Sequence, residues 1–335
     1  MAMKKVLLIG EPLIRIMPTN YQEIEDGVES RMFFGGSEMN IACNLQGFGY
    51  PTKVLTALPE GPLGDRFMAF LVGHGIDVSA IQRVGERIGL YYMESGFGCR
   101  PSQVYYDRSH SSLAAMRIEQ LDMEQLFEDV ALIHFSGITL AIDPTVTLWM
   151  KTILEEAKKR NLPISIDLNW RSKMIGKREA KKLFSEFAVY ADYCFGIEPI
   201  MKEAGDWDLF DRDQAGLYDI EERMLALKEA YDFQTIFHTV RQMDDMGRNH
   251  YRAYGLAEEF ICSVELKTQV LQRVGSGDAF VSGAIYQLLK EASLEETVNF
   301  AVASGTYKCS LEGDQMVQSV ERIKSLLDGK NEIIR

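Results

Sequence analysis

Between Val130 and Thr239, short apolar runs alternate with stretches of helical periodicity, and few patterns restrict an architecture more. The reading is a strand at Leu132 to Phe135, a helix from Pro144 to about Arg160, a strand at Pro163 to Leu168 and a helix from Lys177 to Tyr190. A strand at Tyr193 to Phe195, a helix from Glu221 to Tyr231 and a strand at Thr235 to Thr239 follow. Strands joined through helices of this length run parallel, in right-handed βαβ units, under helices on both faces. Ligands of such sheets bind beyond the carboxyl ends of the strands.

The N-terminal part adds Val6 to Ile9, a continuous apolar run ending at Gly10, a strand at Thr52 to Ala57 and a helix from about Gly64 to Gly73. Two stretches break the pattern. Leu13 to Phe34 and Gly89 to Arg108 carry short alternating pieces, such as Ile14-Arg15-Ile16 and the aromatic pairs Tyr91-Tyr92 and Tyr105-Tyr106. They predict an antiparallel sheet with one face on a ligand and the other in water. With no repeat or linker, the expectation is one α/β domain over residues 1–335, with a lid from about 12–34 and 88–108.

One loop carries chemistry. In Val274-Gly275-Ser276-Gly277-Asp278-Ala279-Phe280, a glycine turn runs into a helix whose apolar positions are Val281, Ile285, Leu288 and Leu289, so Asp278 falls in its cap or first turn. Open amides and the macrodipole at a helix start attract an anion, and glycine lets a ligand approach closely. Asp278 could then accept the proton of a hydroxyl attacking a phosphoryl group on those amides, or simply cap the helix. A second glycine-opened helix begins at Gly35-Gly36-Ser37-Glu38-Met39-Asn40, with Ile41, Ala42 and Leu45 facing inward.

Composition excludes several classes. Lys plus Arg number 36 against 49 Asp plus Glu, a net charge of −13 that opposes a nucleic-acid or anionic-membrane partner and suits a cytoplasmic protein. Cysteines 43, 99, 194, 262 and 309 form no C-x-x-C pair, and histidines 74, 110, 134, 238 and 250 show no metal spacing. The first apolar run is too brief for a signal peptide, and no stretch reaches the length of a membrane span.

With both glycine starts in view, the chain resembles ribokinase-like carbohydrate kinases, the PfkB family, nearly end to end; the late motif differs from the family's Gly-Ala-Gly-Asp only at Ser276. Within the family it is most similar to 2-keto-3-deoxygluconate kinases, on Gly89-Leu90-Tyr91, Tyr106-Asp107-Arg108, Ser136-Gly137-Ile138-Thr139, Asp167-Leu168-Asn169-Trp170-Arg171 and Gly313-Asp314. The resemblance implies a three-layer α/β/α fold with a mostly parallel central sheet, a small β-sheet lid, and ATP and Mg2+ as cofactors. It implies a sugar-acid site of Gly36, Ser37, Glu38, Met39, Asn40, Tyr91, Tyr106, Arg108, Ile138, Arg171 and Asp314. Asp278 would be the base, with Gly275, Ser276 and Gly277 holding the transferring phosphate, and ATP would reach Asn169, Thr239, Arg241, Gly247 and Ser304. A homodimer through the lid is a family-level expectation.

A keto-sugar acid needs local positive charge in so acidic a protein, and Arg108 and Arg171 are candidates unless each is an ordinary ion pair. Tyr91 and Tyr106 would cover the sugar or merely pair across strands, Asn40 would bind or cap its own turn, and Asp314 would bind or lie exposed. Three positions depart from the family pattern: Gln272 replaces an Asp that helps hold a monovalent cation, Ile197 and Ile200 replace the Asn and Glu of the metal-linked Asn-x-x-Glu motif, and Gly61 replaces an Asp. Glu198 remains as a possible metal ligand. The alternatives are a kinase for another sugar, fructose- or ribose-like, and a sugar-sensing relative that binds without transfer. A dehydrogenase is disfavoured because no G-x-G-x-x-G follows the first strand.

Overall fold

A computed structural model of the chain describes residues 3–212 and 214–329. In the strand Lys5–Ile9, Leu7 and Ile9 enter one apolar core while Val6 and Leu8 enter another. Successive strand residues point to opposite faces, so an unbroken apolar run is stable only between two layers, each buried aliphatic contributing about 1.5–3 kcal/mol. The two cores are the two helical layers. Helices Pro144–Lys159, Lys177–Ala188 and Leu217–Tyr231 cover the first face, and Ser37–Gly47, Ser276–Leu289 and Leu294–Lys308 cover the second.

The sheet between them has ten strands. Its parallel part runs Ile81–Arg83, Thr52–Leu58, Lys5–Ile9, Val130–Ser136, Ile164–Asp167, Tyr193–Phe195 and Thr235–Met243. Arg248–Leu256 continues it antiparallel, and itself pairs with Phe260–Cys262 and Leu266–Gln269. The strand expected to end at Thr239 continues to Met243 because it is half of a long hairpin.

A separate four-stranded sheet is ordered Ser30–Gly35, Leu13–Pro18, Gly89–Glu94, Gln103–Asp107. The antiparallel expectation needs correcting at its centre. Each hairpin is antiparallel, but Leu13–Ile16 pairs with Gly89–Tyr92 in parallel. The reason is topological: the two middle strands leave the main sheet after Lys5–Ile9 and after Ile81–Arg83, strands whose carboxyl ends lie on the same edge.

Candidate active site

The carboxyl edge of the main sheet and the small sheet enclose a cavity of about 1040 Å³, enough for two small ligands side by side. Strand ends line it in order, with Glu11, Asp167 to Arg171, Phe195 to Glu198 and Thr239 to Arg241 on its walls. Both glycine-opened helices start at its floor. Gly36, at φ 111°, precedes one and Gly275, at φ 78°, precedes the other. A Cβ on Gly36 would stand 2.2 Å from the Glu11 carbonyl oxygen, and one on Gly275 would stand 1.9 Å from that of Asp314. Neither position admits a side chain.

The two helices meet at Asp278. Its Oδ1 accepts from Ser37 Oγ (2.7 Å) and its Oδ2 from Asn40 Nδ2 (2.7 Å). Asn169, itself in the left-handed region at φ 37°, donates to Ser37 Oγ (3.1 Å). One turn further along both helices, Asn44 Nδ2 donates to Ser282 Oγ (3.1 Å), so the helices run side by side in one direction with both N-termini toward the cavity. Gln315 Nε2 donates to Asn40 Oδ1 (2.7 Å), which turns the Asn40 amide so that its nitrogen meets Asp278. Asp278 lines the cavity, and burial pushes its carboxyl above the ordinary Asp value although Asn40, Ser37 and Arg171 pull the other way. A carboxylate so raised is a better proton acceptor.

The glycine loop is only partly open. The Ser276 amide donates to Arg273 O (3.0 Å), and the helix ladder begins with the Ala279 amide on Gly275 O (2.8 Å). The Gly277 and Asp278 amides therefore have no carbonyl on a preceding turn, and a Cβ on Gly277 would meet nothing within 4 Å. Of the residues expected to hold the phosphate, Ser276 thus has its amide taken, while the Gly277 amide and that of Asp278 beside it are free to meet an anion.

Most of the residues named from sequence meet here: Gly36, Ser37, Glu38, Asn40, Tyr91, Tyr106, Arg108, Ile138, Asn169, Arg171, Thr239, Arg241, Gly275, Ser276, Gly277, Asp278 and Asp314 all line the cavity. Three do not. Met39 lies in the core on the second face, Gly247 sits at a hairpin turn with its amide on Asp244 O, and Ser304 donates to Phe300 O while packing against Gly283. Tyr91 and Tyr106 are direct cross-strand partners with ring centroids 6.2 Å apart, and both also line the cavity.

The charged residues are arranged differently from their sequence reading. Asp314 is buried, not exposed, and accepts from Arg15 Nη2 (2.5 Å), Arg15 Nε (2.9 Å) and Tyr91 Oη (3.1 Å). Arg108 is spent on Glu11, which takes its Nε (2.6 Å) and Nη2 (2.5 Å), so its positive charge is largely cancelled. Arg171 has no carboxylate within 4.0 Å among the described residues, donates only to Trp170 O, and reaches the cavity with its charge available. Arg241 also lines the cavity and stacks 4.6 Å over Tyr251. Glu198 has one oxygen committed and one open: Oε1 accepts from the Phe210 amide (2.9 Å) and Arg223 Nη2 (2.8 Å), while Oε2 lies 3.3 Å from the buried Lys181 ammonium without a hydrogen-bond partner. Among the described residues, no group of three or more His, Cys, Asp or Glu is arranged to hold a metal.

Glu11, Arg15 and Asp167 were missed from sequence. Glu11 and Asp167 stand at strand ends, the one signal that could have marked them. Burial raises Asp167 to about 7, helped by the charge of Asp278. Glu38 also rises to about 7 through burial, although Ser136 and Thr139 donate to it.

The profile described as pfkB family carbohydrate kinase matches residues 3–319. The chain belongs to the pfkB family. A 2-dehydro-3-deoxygalactonokinase from Haloferax volcanii is 26% identical, with 97% of each chain covered. The structure of a 2-dehydro-3-deoxygluconokinase from Thermotoga maritima superposes with a TM-score of 0.89 at 29% identity, covering 97% of this chain and 100% of its own. A putative 2-keto-3-deoxygluconate kinase from Enterococcus faecalis gives a TM-score of 0.89 at 25% identity, with 99% of each chain covered. This pfkB protein is a carbohydrate kinase that uses ATP, with the ribokinase-like fold. No helix among its described residues is long and apolar enough to cross a membrane.

Proposed function

We propose that this kinase transfers the γ-phosphoryl group of ATP to a terminal hydroxyl of a sugar acid of the 2-keto-3-deoxygluconate class. The observation that carries the reading is the pairing, in one cavity, of a base held from two sides with an arginine that has no carboxylate within 4.0 Å among the described residues. Asp278 is gripped by Ser37 and Asn40, and Arg171 is the guanidinium suited to a substrate carboxylate. The named relatives act on sugar acids of this kind, which agrees with the chemistry of that wall.

In the proposed reaction the hydroxyl proton passes to Asp278 as its oxygen bonds to the γ-phosphorus. The bond from that phosphorus to the β-phosphate oxygen breaks, leaving ADP, and the Gly277 and Asp278 amides offset the charge carried by the phosphoryl oxygens. The small sheet, whose Tyr91, Met93, Val104 and Tyr106 face the cavity, acts as a lid that keeps out water, which would otherwise accept the phosphoryl group. Magnesium would accompany the ATP phosphates, with the open Oε2 of Glu198 the oxygen nearest to a protein ligand for it, and no step is assigned to a protein-bound metal.

The test is ADP release by purified protein with magnesium-ATP over a panel of sugar acids and matched neutral sugars, with calorimetry alongside. Transfer to 2-keto-3-deoxy sugar acids at kcat/KM at least about tenfold above the neutral analogues is expected from one charge-assisted contact. Equal use of neutral sugars refutes the acid specificity. Binding of sugar acids without ADP release refutes transfer.

A further inference from the structure

The family resemblance implies a monovalent cation beside the late glycine loop, held in part by an acid, and the residues here do not fit one. That position is Gln272, a neutral amide whose Oε1 already accepts from the Gly313 amide (2.7 Å) and from Arg15 Nη2 (3.3 Å). Besides Arg15, which is paired with Asp314, a second positive charge is buried at the adjoining turn. Lys308 ends the helix Leu294–Lys308, is wholly buried, and donates from Nζ to Leu311 O (3.0 Å), while the Leu311 amide returns to Lys308 O (3.0 Å). The ammonium thus lies at the negative end of a helix dipole and on a turn carbonyl, the surroundings in which a buried lysine can keep its charge. Burial lowers it to about 8, against the opposing pull of the Asp314 and Asp278 carboxylates.

The turn that Lys308 closes touches the catalytic parts directly. Cys309 O accepts from the Leu271 and Gln272 amides (2.8 and 3.2 Å), and Gly313 is held by the Gln272 side chain. Asp314 O packs against Gly275, the N-cap of the late helix, so closely that a Cβ there would lie 1.9 Å away. The next residue, Gln315, orients Asn40 toward Asp278. Whatever holds residues 309–314 in place therefore sets both the phosphate amides and the grip on the base.

We propose that the Lys308 ammonium is a built-in monovalent cation, holding the 309–314 turn against Gln272 and Gly275 so that the enzyme turns over without added potassium or ammonium. Lys308 is a positioning residue: it acts through the turn and touches no substrate. The inference rests on the kinase reading, and its test separates the two.

Rates of ADP formation are measured at constant ionic strength in choline, sodium, potassium and ammonium chloride for the parent, Lys308→Ala and Lys308→Arg, with melting temperatures in the same salts. The parent should be indifferent to the cation within about twofold, whereas Lys308→Ala loses roughly tenfold or more in kcat with KM for the sugar little changed. Potassium or ammonium should restore part of that loss where choline does not, and Lys308→Arg should fall between. Potassium should also raise the melting temperature of Lys308→Ala above its value in choline, and leave the parent unmoved. A parent activated severalfold by potassium overturns the proposal, as does Lys308→Ala at the parent's kcat or a loss that no cation repairs. If Lys308→Ala does not fold, the parent's own salt dependence decides. If the chain phosphorylates no sugar acid, the melts decide, since potassium-specific stabilisation of the parent is incompatible with an ammonium already in place.

Discussion

Replacing Asp278 by asparagine should drive turnover and stability in opposite directions. The two carboxylate oxygens accept from Ser37 Oγ and Asn40 Nδ2, each at 2.7 Å. Asparagine keeps the size and one acceptor; turned so that its oxygen meets Asn40, it presents its NH2 to a hydroxyl that can itself accept. The geometry of the floor survives, but the proton acceptor is gone. Loss of a general base lowers kcat by roughly 10²–10⁴, which is about 2.7–5.5 kcal/mol of barrier.

Stability follows from the sign of the pKa shift. Burial raises the Asp278 carboxyl, so the folded protein binds that proton more tightly than the unfolded chain does. Above the folded value the ionised group costs stability; below the ordinary Asp value of 3.8 it costs none. Asparagine removes the cost at neutral pH, so the variant should melt no lower than the parent, and any advantage should shrink as pH falls into the carboxylate range. ADP release and thermal melts across pH measure both halves. Parent-like kcat refutes the base assignment, and a joint loss of turnover and stability at neutral pH would assign Asp278 a structural role instead.

Arg171→Ala should weaken kcat/KM for sugar acids by about 10–100-fold, the scale of one charge-assisted contact, and leave matched neutral sugars nearly unchanged; equal losses for both count against a carboxylate contact. Gly275→Ala should destabilise the fold by roughly 1–3 kcal/mol or more in denaturant melts, because φ 78° and the Asp314 carbonyl both oppose a side chain. Gly277→Ala, with nothing within 4 Å of the added methyl, should keep its stability and lose rate, so similar melts for the two variants would contradict the loop geometry. Glu38 and Asp167, each raised to about 7 by burial, cost stability when ionised, so the parent should gain stability as pH falls from about 7 toward the ordinary values of 4.5 and 3.8. Glu38→Gln should flatten that rise, and a parent that loses stability throughout this window contradicts the assignment.

The main sheet was legible because its information is local. Val6 to Ile9 and Leu132 to Phe135 declare a two-sided strand by themselves, and Gly36 and Gly275 mark backbone angles closed to other residues. The small sheet was placed correctly in the chain but misjudged at its centre, since the parallel pairing of Leu13–Ile16 with Gly89–Tyr92 depends on where strands far apart in sequence end.

Charge pairing was the least legible layer. Ile14-Arg15-Ile16 reads as a strand with one residue in water, yet Arg15 is buried against Asp314, 299 positions away. Likewise Arg108 looks like a free cation until Glu11 meets it, and nothing near Glu198 in sequence announces the Arg223 and Lys181 that flank it. A long-range ion pair leaves no periodic trace, because each partner's own neighbourhood is the same whether its charge faces solvent or an acid. The consequence for function runs by subtraction: once Arg15 and Arg108 are assigned to protein carboxylates, Arg171 is, of the remaining guanidiniums on the cavity wall, the one whose charge acts on Asp278 and so the one placed to answer an anionic substrate beside it. Specificity for acid over neutral sugars should therefore reside in Arg171, and Glu11→Gln, which frees the charge of Arg108 within the same cavity, should strengthen sugar-acid binding in calorimetry if the fold tolerates it; unchanged or weaker binding by a folded Glu11→Gln variant would mean that Arg108 faces the protein and not the substrate.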